Sequence, residues 1–181
     1  MNIPNWITVS RLIGVFFLFY FLVTPVFFSR WISLVTFLTI ASTDWVDGYL
    51  ARKMNQVTEL GKFLDPLVDK VFIISTLSGL VIVERISIWG VILIIFREIA
   101  ITFYRINSIK NKRGPKEANI WGKFKTFSQV IAIAFLIAPL PQDWDNFSNI
   151  LFWISVILTL VSGLIYVIPD IGLKKNKTKD M

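Results

Sequence analysis

The 181-residue sequence contains no cysteine and no histidine. The first absence excludes disulfides and thiolate chemistry, and the second excludes Ser-His and Cys-His triads. Together they remove the usual zinc ligand sets. Proton transfer must then fall to carboxylates, Lys, Tyr or water. Any metal must be held by oxygen, which suits Mg2+, Mn2+ or Ca2+. Charge is also scarce, at 17% of residues against about 25% in an ordinary soluble domain. What fills the chain instead is apolar: 55% hydrophobic residues, with Phe alone contributing 16. No single soluble core of this length buries so much apolar surface. The composition predicts one all-α integral membrane domain over residues 1–181.

Residues 12–28 carry no charge and no A-x-A site follows them. The run reads as a retained span and not as a cleaved signal peptide. Pro4 fits a helix's first turn, so a short interfacial helix is expected to lead in. Residues 147–169 form a second charge-free run, long enough to cross a bilayer. Four further spans are expected at about 31–53, 62–83, 86–108 and 120–138, which makes six transmembrane helices.

The net charge of +7 is unevenly distributed. The junctions at Arg30 and Arg85 carry one Arg each, and the segment 139–146 has two Asp and no Lys or Arg. The opposite side carries Arg52, Lys53, Lys62, Arg105, the cations from Lys110 to Lys125, and the basic tail 173–181. This asymmetry predicts a multi-pass protein of the cytoplasmic membrane with both termini in the cytoplasm, its basic segments facing anionic lipid and not nucleic acid.

Charges also interrupt spans two to five, always toward the cytoplasmic end: Asp44, Asp47 and Arg52, then Asp65, Asp69 and Lys70, then Arg97, Glu98 and Arg105, then Lys123 and Lys125. Intramembrane charges are costly and face a cavity or each other. They predict a polar chamber open to the cytoplasm. Within it, Asp44, Asp47, Gly48 and Ala51 share a helical stripe about 100° wide, and Asp65 and Asp69 form an i, i+4 pair. Pro66 is expected in the first turn of span three, close to these acids. An antiparallel hairpin would then bring four carboxylates together. Their mutual repulsion calls for hard divalent ions. Gly48 and Ala51 leave room for a bulky ligand, and Arg52 is placed to hold a phosphate. The plainer alternative pairs these acids with Arg52, Lys62 and Lys70.

Asp44, Asp47, Gly48, Ala51, Arg52, Gly61, Asp65 and Asp69 stand in the pattern D-x-x-D-G-x-x-A-R, eight residues, G-x-x-x-D-x-x-x-D. This resembles the signature of the CDP-alcohol phosphatidyltransferases at every fixed position. The opening PNWITVSR, the FRE of Phe96–Glu98, and GKFKT from Gly122 to Thr126 with Gln129 resemble the subgroup that uses glycerol 3-phosphate. Cardiolipin synthases of the same superfamily share parts of these. The resemblance implies CDP-diacylglycerol and sn-glycerol 3-phosphate as substrates, a site dependent on Mg2+ or Mn2+ with two ions, and a homodimer. It assigns Asp44, Asp47, Asp65 and Asp69 to metal and Asp69 also to the role of general base. It places Asp44, Gly48, Ala51, Arg52 and Gly61 on the cytidine diphosphate. The acceptor is a phosphate dianion and needs cations of its own. Candidates are Arg97, Arg105, Lys123 and Lys125, with Thr8 and Arg11 on one face of the first helix. The loop cations Lys110 to Lys116 are expected to be solvated. For Arg97 the competing reading is a structural ion pair with Glu98.

Two other classes fit parts of the pattern. A carboxylate-lined cation transporter would explain acids in membrane helices, but all the charges stay in one half and no inverted repeat is visible. A basic membrane scaffold explains the tail and leaves the four acids without a role.

Overall fold

A computed structural model describes residues 3–26, 28–53, 59–110 and 120–177. They form six helices and no strand: α1 (Ile3–Val23), α2 (Ser29–Lys53), α3 (Glu59–Ile82), α4 (Ile88–Lys110), α5 (Ile120–Ile137) and α6 (Asp145–Lys177). A short 3-10 turn, Gln142–Trp144, precedes α6. Among these, Gln142–Ile165 is long and apolar enough to cross a membrane, while Thr8–Val23 and Phe124–Ile137 are apolar but shorter.

Four expected boundaries are corrected. No separate interfacial helix precedes the first span, because α1 runs unbroken from Ile3 with Pro4 in its first turn. It stops at Val23 and not at residue 28, since Pro25 lacks the N–H that would continue the ladder. Pro66 lies inside α3, not in its first turn, so the Lys62 carbonyl loses its usual donor. α6 continues past residue 169 to Lys177 and takes in much of the basic tail. At 1.5 Å per residue it is about 50 Å long, against about 30 Å of bilayer hydrocarbon.

Packing divides into two compact units, Met1–Ser87 with Ile133–Asn146, and Ile88–Ala132 with Phe147–Met181. In the first, α1 packs against both α2 and α3. Its buried residues are Thr8, Arg11, Val15, Leu18 and Leu22, spaced three and four apart. Gly79 permits the α1–α3 approach, for a Cβ there would sit 2.6 Å from Cδ2 of Leu22. Phe37 of α2 stacks on Phe72 of α3 with ring centroids 5.1 Å apart. At the far end of this unit Arg30 donates to the carbonyls of Ile137 and Ala138, and Arg85 pairs with Asp145 at 2.9 Å. Burial first, and then Arg85, hold the Arg30 pKa below its ordinary value, with Asp145 opposing. These contacts tie three inter-helix turns together at one end.

In the second unit the buried residues of α6 are Ser148, Phe152, Ser155, Val156, Thr159 and Ser162. The packing faces of both units are thus rich in small hydroxyls, while the outside is apolar. Phe16, Tyr20, Trp31, Ile82, Trp89, Phe96, Phe103, Phe127 and Leu164 are all exposed. In water such a surface is an aggregation liability, whereas hydrocarbon solvates it.

α3 ends in a Schellman motif: the Arg85 N–H donates to the Leu80 carbonyl at 2.9 Å and the Glu84 N–H to that of Val81 at 3.0 Å. The residue in the left-handed position is Glu84, at φ 56°, where a Cβ is strained. Glu84→Gly is expected to stabilise the protein by about 1 kcal/mol. Thermal unfolding in detergent checks this, and an unchanged or lower midpoint contradicts it.

Candidate active site

The signature residues occupy two helix ends in the first unit. Asp44, Asp47, Gly48, Ala51 and Arg52 lie in the last turns of α2, and Gly61, Asp65 and Asp69 in the first half of α3. Of the carboxylates among them, Asp69 has its side chain within the described residues. The side chains of Asp44, Asp47, Ala51, Arg52 and Asp65, and the surroundings of Gly48 and Gly61, lie outside them.

The described contacts nevertheless set the register of these helices. Gly14 of α1 faces Ile40 of α2, where a Cβ would be 3.2 Å from Cδ1, so two helices joined by a tight turn run antiparallel. Arg11 meets Asp69, and Gly79 meets Leu22 and Phe19, so α1 and α3 run the same way. Carried along at equal rise, these pairs put Asp44 and Asp47 level with about residues 10 and 7 of α1, and Asp65 with about residue 7. All four acid positions therefore fall at the level of Thr8 and Arg11, in a layer about one helical turn thick. The set offers carboxylate oxygen alone, the donor chemistry of a hard divalent ion.

Arg11 Nη1 donates to Asp69 Oδ1 at 2.9 Å. The Arg11 side chain is 4% exposed and that of Asp69 44%. A residue expected on the acceptor phosphate thus meets the expected general base. A planar guanidinium fixes the direction of a carboxylate lone pair, so Arg11 orients Asp69. Thr8, one turn before Arg11, is also buried.

The second unit gathers the other cations. Arg97 and Glu98 lie in α4 and Lys125 in α5. Glu98 Oε1 accepts from Arg97 Nη1 at 3.0 Å and also from Lys125 Nζ. Arg97 is further tied to α6: Nε donates to the Thr159 carbonyl at 3.1 Å and Nη2 to Ser162 Oγ at 2.8 Å. Its stem lies over Gly163, where a Cβ would stand 3.2 Å from Arg97 Cγ. The ion pair with Glu98 is therefore present, formed by neighbours on one helix. Arg105 and Lys123 lie on α4 and α5 with side chains outside the described residues; Lys112, Arg113 and Lys116 lie wholly outside them.

Sequence reasoning left Glu98 as a mere counter-ion and did not single out Ser162 and Gly163. The available signal was a carboxylate amid IIFREIAIT and a Ser-Gly pair inside an apolar helix. The signature, its helical placement and the common level of its acids all point one way, and comparison with known proteins agrees. The family profile described as CDP-alcohol phosphatidyltransferase matches residues 1–161.

The chain belongs to the CDP-alcohol phosphatidyltransferase family.

Within the family, it is 36% identical over 180 residues to the CDP-diacylglycerol--glycerol-3-phosphate 3-phosphatidyltransferase of Bacillus subtilis (strain 168), covering 91% of this chain and 93% of that protein. It is 36% identical over 171 residues to the protein of the same name from Escherichia coli (strain K12), covering 91% and 92%.

If Arg11 orients Asp69 for chemistry, Arg11→Ala should lower the rate of CMP release at saturating substrate about ten- to hundredfold, the worth of one charge-assisted contact. Arg11→Lys should recover part of it, keeping the charge but losing the planar fork. A variant that loses thermal stability yet keeps its rate per folded molecule would limit the pair to folding.

Proposed function

We infer that this chain transfers the phosphatidyl group of CDP-diacylglycerol to sn-glycerol 3-phosphate, giving phosphatidylglycerol phosphate and CMP. The observation that carries this is the likeness over 91% of the chain to two transferases of that name. The eight signature residues support it, each at its spacing.

In this mechanism a hydroxyl of glycerol 3-phosphate attacks the phosphorus that bears the diacylglycerol. The new P–O bond forms as the bond to CMP breaks, and the hydroxyl proton passes to the Asp69 carboxylate, which Arg11 aims. Asp44, Asp47, Asp65 and Asp69 would hold one or two Mg2+ or Mn2+ ions, which neutralise charge on the diphosphate. Gly48, Ala51 and Gly61 leave room for the cytidine, and Arg52 takes a phosphate oxygen. Lys125 and Arg97, with Arg105 and Lys123, would receive the acceptor phosphate. In this reading all six helices cross the cytoplasmic membrane, with the acids and both termini on the cytoplasmic side; the apolar exterior and the asymmetry of the basic segments support it. The family resemblance adds a homodimer.

Two tests follow from the site. Chelation with EDTA should abolish CMP release and Mg2+ or Mn2+ should restore it, while Asp47→Ala or Asp65→Ala should remove activity from a folded protein. Full turnover in a chelated preparation, or wild-type rates in either variant, would refute the carboxylate site. Lys125→Met should raise the KM for glycerol 3-phosphate about tenfold or more and leave that for CDP-diacylglycerol nearly unchanged. Proteoliposomes offered glycerol 3-phosphate, phosphatidylglycerol, serine or inositol phosphate as acceptor decide the substrate. Release of CMP with a different acceptor alone would reassign the enzyme within its family, and no release with any would favour a cation pathway.

A further inference from the structure

Gly163 of α6 is buried, and the side chain that lies over it comes from α4. A Cβ added to Gly163 would stand 3.1 Å from Arg97 Nε, 3.2 Å from Cγ and 3.7 Å from Cδ. The Arg97 stem therefore occupies the volume that any larger residue would fill. Beyond the stem, the guanidinium is bound along one edge. Nε donates to the Thr159 carbonyl at 3.1 Å and Nη2, on the same edge, to Ser162 Oγ at 2.8 Å. Ser162 Oγ donates in turn to that carbonyl at 2.9 Å, which turns its lone pairs toward the arginine. Thr159 and Ser162 are 0% and 5% exposed, and the Arg97 side chain 13%.

A guanidinium has five N–H donors in a fixed plane. Arg97 spends two on α6 and one on Glu98 Oε1 at 3.0 Å. Among the described residues these are its hydrogen bonds, and two N–H remain, one on each terminal nitrogen, off the edge held by α6. They are what Arg97 can offer to a phosphate oxygen. A loose arginine must be ordered when a ligand binds, at an entropic cost; one already held by stem and edge is not.

We propose that the Ser162–Gly163 step of α6 is an arginine cradle: Ser162 and Gly163 are positioning residues that fix Arg97 with its two remaining N–H turned to the acceptor phosphate. This rests on the reading of Arg97 as an acceptor-phosphate residue and extends it to α6. Neither residue touches substrate. Gly163 supplies the room for the stem, and Ser162 sets the plane of the guanidinium. A planar group aimed in advance recognises phosphate oxygens by direction as well as by charge.

Arg97 meets the phosphate both before and during the reaction, so loss of its aim is read in KM and not in kcat. Ser162→Ala removes one edge acceptor and should raise the KM for glycerol 3-phosphate about three- to tenfold. The kcat and the KM for CDP-diacylglycerol should be nearly unchanged. Gly163→Ala should raise the same KM by a similar factor, because the new Cβ displaces the stem and tilts the guanidinium. Ala is also the better helix former, so the thermal midpoint of Gly163→Ala in detergent is kept or raised while acceptor affinity falls. A merely structural role predicts the reverse, a lower midpoint with an unchanged KM. In an Arg97→Lys background both substitutions should lose their effect on KM, since an ammonium has no edge to hold. An unchanged KM for glycerol 3-phosphate in both single variants overturns the cradle. Equal losses for the two substrates, or effects that persist in the Arg97→Lys background, overturn it too. Should Ser162→Ala not fold, Gly163→Ala and its double variant decide alone. Arg97→Lys by itself tests the reading beneath. If it leaves that KM unchanged, Arg97 is not an acceptor residue and the site assignment fails; a raised KM with silent Ser162 and Gly163 variants refutes the cradle alone.

Discussion

A charge withdrawn from water must meet an opposite charge or a set of hydrogen-bonding oxygens, and in this chain that requirement organises the packing. Arg11 meets Asp69, Arg30 meets two carbonyls at the end of α5, and Arg85 meets Asp145. Arg97 and Lys125 share Glu98, with α6 supplying the remaining acceptors for Arg97. Each pairing joins helices that apolar contact alone would not register, because lipid tails are as apolar as the side chains they would displace. Hydroxyls and glycines on the buried faces do the rest. They let backbones approach closely, as at Gly14 against Ile40 and Gly79 against Leu22.

That division of labour governs what could be read in advance. Long uncharged runs and charges that interrupt them are visible in a string of letters, so six helices and the acids of α2 and α3 were legible. Helix faces were not. On α1 the buried stripe Thr8, Arg11, Val15, Leu18 and Leu22 is no more apolar than the exposed Ile13, Phe16, Phe17 and Tyr20. In a membrane-facing helix hydrophobicity does not mark the inside, so periodicity loses its usual meaning. The pairing of Arg11 with Asp69 was hidden for a different reason. Each side chain had its own assignment, one to the acceptor and one to the base, and their contact depends on α1 and α3 running parallel. Pro66 misled because proline in a helix interior is costly, yet α3 begins two turns earlier and encloses it.

The two clusters belong to different compact units. In one, Arg11 meets Asp69; in the other, Arg97 and Lys125 meet Glu98.

The Arg11–Asp69 pair spans 58 residues of sequence, and that separation has a meaning in time. At about 5–20 residues per second of synthesis, Asp69 follows Arg11 by roughly 3–12 s. Through that interval α1 and α2 exist without the Asp69 carboxylate. The helical hairpin made first therefore lacks an ion pair of the finished fold, and the arrival of the third helix supplies it.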